Sequence, residues 1–134
     1  MDALAQVSFT VMAILGQVAS ANDLSLTLLR CLAILRDREP RISDLAEHLG
    51  IDRSSVSGLL DRASDRGLAR RIPSKEDGRS AQVALTAKGR RLGAALTTEV
   101  AARIELLVGD LSARERRDLA GLLDRILGPH PETS

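Results

Sequence analysis

Hydrophobic and polar positions along residues 42–86 follow two short helical stripes and then an alternating pattern. In residues 42–49, apolar side chains recur at spacings of three and four, which predicts a short helix with one buried face. Ser43 is its predicted N-cap, and Gly50 ends it. A second helix follows Asp52, another candidate N-cap. Its predicted apolar stripe consists of Val56, Leu59, Leu60 and Ala63.

The opposite face of this second helix is polar. It carries Arg53, Ser54, Ser55, Ser57, Asp61 and Arg62. Two short helices joined by a glycine turn, the second with small polar and arginine side chains near its start, fit the major groove of DNA. The pattern therefore predicts a helix-turn-helix.

A change of period marks the next segment. Gly67 is predicted to be a left-handed C-terminal cap, with Leu68 folding back on the helix. Residues 68–72 and 81–85 are short segments, and the stretch between them is dense in turn-forming residues. We expect a two-stranded antiparallel hairpin whose tip carries Lys75 and Arg79. Helix, helix and hairpin in this order make a winged helix.

Helical stripes also flank the predicted winged helix. One runs over residues 4–18, and residues 24–36 form a helix that is apolar on most sides and therefore central, with cap residues at positions 21–23. Thr86 can cap a long helix, and the capping box from Ser112 to Glu115 opens a last helix that Gly128 and Pro129 end.

The predicted fold class is mainly α with a small β-hairpin wing (α+β). We expect a single domain over residues 1–134, divided into a winged-helix core at 24–87, dimerisation helices at 1–20 and 88–128, and a flexible tail at 129–134. The flanking stripes need a partner, because the winged helix can cover them only in part. Packing against a second copy in a two-fold dimer is the favoured solution, and a monomer with the helices folded back is the alternative.

Composition narrows the classes of function. The formal net charge is only +1, but residues 53–79 carry seven basic and four acidic side chains, whereas residues 1–52 carry four and seven. Positive charge thus concentrates on the proposed DNA-facing segment. One cysteine excludes an intramolecular disulfide and fits a reducing cytoplasm. Residues 3–21 are apolar, but Asp2 and not a basic residue precedes them, and polar residues interrupt them, so we expect neither a signal peptide nor a membrane span.

Several motifs together resemble the MarR (multiple antibiotic resistance regulator) family of bacterial transcription factors. They are ISDLA from Ile42, SSVS from Ser54, LDR from Leu60, DRGL from Asp65, DGRS from Asp77 and LTAKG from Leu85. The resemblance implies a homodimeric winged helix on a pseudo-palindromic double-stranded operator, with repression as the common outcome. It also implies a wing arginine in the minor groove and release of DNA by a small aromatic effector.

The candidate DNA-binding residues divide by role. Hydroxyls and arginines of the second helix would face the major groove, Arg70, Arg71 and Lys75 would neutralise phosphates, and Arg79, oriented by Asp77 according to the resemblance, would enter the minor groove. For Arg62 and Arg66 the alternative is a surface salt bridge with Asp61 or Asp65, which we favour for Arg66. The complete set is Arg53, Ser54, Ser55, Ser57, Arg62, Arg70, Arg71, Lys75, Asp77 and Arg79.

Other chemistry finds less support in the sequence. Cys31 lies in an apolar helix without an adjacent His or Lys, so a buried core residue is favoured over a redox sensor. His48 and His130 have no second ligand at metal-binding spacing and are expected to be surface histidines. No nucleophile motif, phosphate loop or HExxH occurs, so we expect no enzyme, cofactor or metal.

The sequence leaves two questions of function open. A winged helix can also serve as a protein-interaction module that does not bind DNA, although that role would not require Arg53, Arg62 and Arg79 on one face. An effector pocket could lie near Phe9, Met12 and Leu29, but aromatic side chains that could stack on a ligand are scarce.

Overall fold

A computed structural model of the chain describes residues 2–73 and 81–129. Six helices and two strands follow one another in these residues. They are α1 (Ala3–Ala21), α2 (Leu26–Leu35), α3 (Ile42–Leu49), α4 (Arg53–Asp65), β1 (Ala69–Ile72), β2 (Gln82–Leu85), α5 (Ala87–Leu107) and α6 (Ala113–Leu127). The strands pair antiparallel, with Ala69 opposite Leu85 and Ile72 opposite Gln82. The predicted α+β fold class with a small hairpin is confirmed.

The chain divides into two compact units, Met1–Val100 and Ala101–Ser134. The boundary falls within α5, which continues as one helix across it. The predicted division into one domain with dimerisation helices at both ends stays a prediction.

One hydrophobic core holds the first unit together, and α2 lies at its centre. Leu28, Leu29, Cys31, Leu32 and Leu35 of this helix are all buried, as its apolar sequence predicts. Side chains from every other element of the unit complete the core, among them Val18, Leu45, Leu59, Leu68, Val83 and Leu96. Burial of this many aliphatic side chains is the main stabilising contribution in a chain almost without aromatic residues.

The turn between α3 and α4 has the chemistry that the sequence indicates. Gly50 adopts a left-handed conformation (φ +67°) and its N–H donates to Ala46 O. Asp52 then caps α4, since its carboxylate accepts from the N–H of Ser55 at 2.8 Å. These two residues fix the angle at which α4 leaves α3.

The start of α3 differs from the prediction. Arg41 occupies the N-cap position without a side-chain cap, so the assignment of Ser43 as the cap was wrong. The first amide of the helix, that of Ile42, instead donates to Ala81 O at 3.1 Å, and Val83 N donates to Pro40 O at 2.9 Å. Residues 40–42 thus lie along the outer edge of β2, and this pairing extends the hairpin.

The junction between α1 and α2 also differs from the prediction. Asn22 ends α1, Asp23 adopts a left-handed conformation (φ +56°), and Ser25 is the N-cap of α2. The Ser25 hydroxyl accepts from the N–H of Leu28 at 3.1 Å. The predicted start at residue 24, with cap residues at 21–23, was therefore wrong.

The second unit contains the end of α5 and the whole of α6. The predicted capping box is confirmed, because Ser112 Oγ accepts from Glu115 N and Glu115 Oε1 accepts from Ser112 N. No residue of α6 is buried, and its apolar stripe is exposed. The exposed apolar residues are Leu119, Leu122, Leu123, Ile126 and Leu127.

α1 exposes apolar side chains as well. Leu4, Val7, Phe9 and Met12 are at least half exposed, whereas Val18 and Ala19 near its end are buried. By length and composition alone this helix is long and apolar enough to cross a membrane. Signal sequences and the core helices of soluble proteins meet the same two criteria. The prediction that no segment spans a membrane stays a prediction.

Candidate nucleic-acid interface

α4 has one buried face and one exposed face, as its sequence predicts. Val56, Leu59, Leu60 and Ala63 are buried in the core. The exposed residues include Arg53, Ser54, Ser55, Ser57, Asp61 and Arg62, and Ser64 and Asp65 near the end of the helix are exposed as well. With α3 packed behind it, α4 therefore presents hydroxyls and guanidinium groups outward on a rigid element.

The first turn of α4 is internally hydrogen-bonded. Asp52 Oδ1 accepts from Ser54 Oγ at 2.6 Å, and Oδ2 accepts from Ser55 Oγ at 3.0 Å. With the Ser55 amide, these hydroxyls lower the pKa of Asp52 from 3.8 to about 2, because they stabilise the carboxylate. At neutral pH both serine hydroxyls donate to Asp52, so each directs oxygen lone pairs outward.

A salt bridge joins the hairpin to α4. Arg71 Nη1 lies 3.0 Å from Asp61 Oδ1, and Arg71 Nη2 lies 3.4 Å from both the carbonyl oxygen and the hydroxyl of Ser57. Asp61 thus holds the guanidinium of Arg71 against α4. Arg71 lies beside the exposed face of α4 and is partly engaged by protein groups.

The remaining candidates are divided between described and undescribed residues. Arg70 is exposed on β1, next to Arg71, and Arg62 Nη1 lies over Gly58, one turn earlier on α4. Lys75, Asp77 and Arg79 lie outside the described residues, so their place in the wing and their roles stay predictions. The described part of the interface is α4 together with the base of the hairpin.

Arg66 takes a different role from the predicted one. Its Nη1 donates to Asp23 O at 2.7 Å and its Nη2 to Asn22 O at 3.2 Å, so the favoured salt bridge to Asp61 or Asp65 was wrong. The partners are backbone carbonyls more than forty positions away in sequence, at the end of α1. Local sequence patterns carry no signal for such a contact.

The residues outside this interface behave largely as expected. Cys31 is fully buried, and burial raises the pKa of its thiol from 9.0 to about 12, so it is a core residue and not a poised thiolate. His48 is half-buried, with Nε2 at 3.2 Å from Arg38 Nη1, and its carbonyl accepts from Arg30. It is more enclosed than the predicted surface histidine, and His130 lies outside the described residues. Within the described residues, no group of three or more His, Cys, Asp or Glu side chains could hold a metal ion.

Comparison with known proteins identifies the segment that contains this interface. The sequence profile of the MarR family matches residues 22–80, from the end of α1 to the residues preceding β2. This segment belongs to the MarR family. A relative of the MarR-family segment is YfiV of Bacillus subtilis (strain 168), described as an uncharacterized HTH-type transcriptional regulator. The two are 35% identical over 71 residues, which span 52% of this chain and 44% of YfiV.

Solved structures resemble the chain over nearly its whole length. A MarR transcriptional regulator from Methanosarcina mazei Go1 superposes with a TM-score of 0.82 at 21% identity, over 93% of this chain and 91% of that one. NadR in complex with 4-hydroxyphenylacetate superposes with a TM-score of 0.79 at 24% identity, over 95% and 91%. At these identities the likeness shows the MarR-type winged-helix fold.

Proposed function

We propose that the chain is a sequence-specific DNA-binding transcriptional regulator that acts as a homodimer and represses transcription. The observation that carries this proposal is the exposed face of α4. Its hydroxyls and guanidinium groups point outward from a helix that the left-handed turn at Gly50 and the Asp52 cap hold at a fixed angle. A helix so presented can enter the major groove.

The charge distribution supports the same proposal. Residues 53–79 carry a net charge of +3, and these residues form α4, the first strand and the segment that follows it. Neutralising phosphates releases counterions and provides affinity that does not depend on sequence. The description of the relative YfiV as a transcriptional regulator agrees with this proposal.

Each candidate residue has a proposed role. Arg53, Ser54, Ser55, Ser57 and Arg62 face the major groove, where a good bidentate contact contributes roughly 1–3 kcal/mol of discrimination. Because Asp52 accepts the hydroxyl protons of Ser54 and Ser55, these two serines suit base amino groups better than phosphates. Arg70, Arg71 and Lys75 approach phosphates. Arg79, oriented by Asp77, enters the minor groove.

Uncovered apolar surface on α1 and α6 supports the proposed dimerisation. Exposed aliphatic side chains line α6, and α1 adds four apolar side chains that are half exposed or more. A second copy would cover both stripes, and its two-fold symmetry would match a pseudo-palindromic operator. The cytoplasm is the compartment in which this protein would meet its DNA.

Selection of genomic fragments by the purified protein tests the proposal. We expect recovered fragments to share a two-fold-related pair of half-sites, separated by about one helical turn of DNA. Arg79→Ala should weaken binding to such a site in a gel-shift titration while leaving the dimer folded. Unchanged affinity would contradict the minor-groove role of Arg79.

The same selection separates the proposal from a protein-interaction role. A winged helix that binds only proteins would recover no sequence in excess over the input pool. It would also bind short duplexes weakly and without preference, since charge alone drives such binding.

An aromatic acid is the first effector class to test. The structural neighbour NadR was solved in complex with 4-hydroxyphenylacetate. For this chain we propose that a ligand of that class binds near Phe9, Met12 and Leu29 and releases DNA. Titration of 4-hydroxyphenylacetate into the complex, with release followed by fluorescence anisotropy, tests this; no release at millimolar ligand would contradict it.

A further inference from the structure

Three helix ends meet at the carboxyl end of α4. Arg66 donates from Nη1 to Asp23 O at 2.7 Å and from Nη2 to Asn22 O at 3.2 Å, at the end of α1. On its other side, Lys88 Nζ of α5 donates to the carbonyl oxygen of Arg66 at 2.9 Å. The end of α4 is thus hydrogen-bonded both to the end of α1 and to the start of α5.

Arg66 supplies a charge that α1 lacks. The last turn of α1 contains no basic residue, so its terminal carbonyls have no cation of their own. The left-handed backbone at Asp23 allows two successive carbonyl oxygens to reach one guanidinium group. The planar fork of arginine matches this pair of acceptors, whereas a lysine ammonium is a point charge.

α1 is anchored at one end and uncovered at the other. Val18 and Ala19 near its carboxyl end are buried in the core, while Leu4, Val7 and Phe9 are exposed. The contact with Arg66 therefore lies at the end of α1 that is fixed to α4. The opposite half of α1 is available to a second copy of the chain.

We infer that Arg66 is a positioning residue that sets the angle of α4 relative to α1 without touching DNA. The inference rests on the proposed DNA binding and dimerisation. If α1 packs on a second copy, the Arg66 contact also sets the angle of α4 relative to the other half-site. α4 is about 20 Å long by its 13 residues, so a tilt of about 5° at Arg66 moves its first turn by almost 2 Å.

Two pairs of variants separate this role from the alternatives. Arg66→Lys keeps the positive charge but replaces the two nitrogens of the planar fork with a single ammonium nitrogen, whereas Arg66→Met removes the charge as well. Asp23→Val disfavours the left-handed backbone that presents the carbonyl oxygen to Arg66. Asp23→Asn removes the same negative charge but still allows the left-handed backbone, so it is the control for charge.

The experiment compares two duplexes of equal length, one selected from a random pool by the wild-type protein and one scrambled. We expect Arg66→Lys and Arg66→Met each to weaken binding of the selected duplex about tenfold, since in both variants α4 is no longer held at the angle that aligns it with its half-site. Affinity of Arg66→Lys for the scrambled duplex and its salt dependence should stay at wild-type values. Asp23→Val should weaken binding of the selected duplex as much as Arg66→Lys does, whereas Asp23→Asn should bind it like the wild type. The double variant Arg66→Lys/Asp23→Val should bind the selected duplex no more weakly than Arg66→Lys alone.

Other results would overturn the inference. Wild-type binding by Arg66→Lys, with Arg66→Met weaker on both duplexes, would make Arg66 a phosphate contact. Additive losses in the double variant would mean that Arg66 and Asp23 act independently. Unfolding curves recorded for every variant ensure that all titrations are made on folded protein.

A second readout does not depend on DNA. Hydrogen exchange at amides 19–24 and 63–68 should accelerate together in Arg66→Lys, since both helix ends lose the same contact. Wild-type exchange rates at both helix ends of Arg66→Lys would overturn the inference, and this measurement is made on the protein without DNA. Failure of the wild-type protein to select any duplex would instead contradict the proposed function alone.

Discussion

Arg71 and Asp61 form a salt bridge across the junction between the hairpin and α4, with Nη1 and Oδ1 3.0 Å apart. Their side chains are 41% and 62% exposed, so water screens the pair and its contribution to stability is at most about 1 kcal/mol. The pair matters more for orientation than for stability, because it holds the Arg71 guanidinium of the hairpin against the exposed face of α4.

Asp61→Asn should release Arg71 and change the DNA affinity more than the stability. Asp61 competes with a phosphate for the Arg71 guanidinium, so its loss lets Arg71 neutralise that phosphate more fully, which would steepen the dependence of log affinity on log salt concentration by up to about 0.9. Titrations with an unselected duplex at several salt concentrations measure this. Asp65→Asn is the matched control, since Asp65 is exposed on the same helix; equal slopes for the two variants would contradict the prediction.

Gly89→Ala should destabilise the fold. A Cβ at Gly89 would overlap the carbonyl oxygen of Leu68 and lie 2.9 Å from its carbonyl carbon and 3.2 Å from Leu85 Cδ2. Since the overlap is with backbone, we expect a loss of about 2 kcal/mol or more in the free energy of unfolding, measured in urea.

Gly93→Ala provides the control for Gly89, one turn further along α5. Nothing lies within 4 Å of a Cβ there, so alanine should stabilise the helix by roughly 0.5–1 kcal/mol. A stabilising Gly89→Ala would show that α5 does not approach Leu68 so closely.

The Asp52 cap should make stability depend on pH in strongly acidic solution. The pKa of this carboxyl falls from 3.8 to about 2 on folding, so its stabilising contribution is complete above pH 3.8 and disappears as the pH falls through 2. Asn caps a helix nearly as well as Asp but does not titrate. Between pH 4 and 2 the melting temperature of the wild type should therefore fall more steeply than that of Asp52→Asn, and parallel curves would argue against the shift.

Cys31 should resist modification in the folded protein. The thiol is buried with a pKa of about 12, so almost no thiolate exists at pH 8. At pH 8 we expect iodoacetamide to label Cys31 only in molecules that have unfolded, so labelling should be slow in buffer and much faster in urea. Mass spectrometry measures the labelled fraction over time. Rapid labelling without denaturant would reopen a role in redox sensing.

Ile126→Gln should weaken the proposed dimer. Ile126 is 65% exposed on α6, and burying an aliphatic side chain of this size contributes about 1.5–3 kcal/mol. The dimer dissociation constant should rise at least about tenfold in analytical ultracentrifugation, whereas Arg125→Gln, its exposed neighbour, should leave it near the wild-type value. Equal dissociation constants would exclude Ile126 from the interface.

The sequence predicts those parts of the fold that depend on neighbouring residues. Gly50 and Gly67 end their helices in the left-handed conformation because no side chain opposes it, and Ser112 caps α6 because Glu115 lies three residues later. The exposed face of α4 is predictable for a similar reason. Its helical period separates buried from exposed positions without knowledge of any partner.

Contacts between distant residues escape the same reasoning. Ser43 is a reasonable cap by local rules, but Ala81 O already accepts the first amide of α3. Arg66 lies next to two aspartates in sequence yet donates to carbonyls at the end of α1. In both cases the deciding acceptor is a backbone oxygen, which every residue type carries and no sequence pattern distinguishes.

The edge pairing of residues 40–42 with β2 also limits how the hairpin can be exchanged or opened. Ile42 and Val83 donate across this edge, so the first turn of α3 cannot fray without loosening β2. The hairpin base and the helix-turn-helix should therefore open as a single cooperative unit, with the Ile42 and Val83 amides exchanging at matched rates.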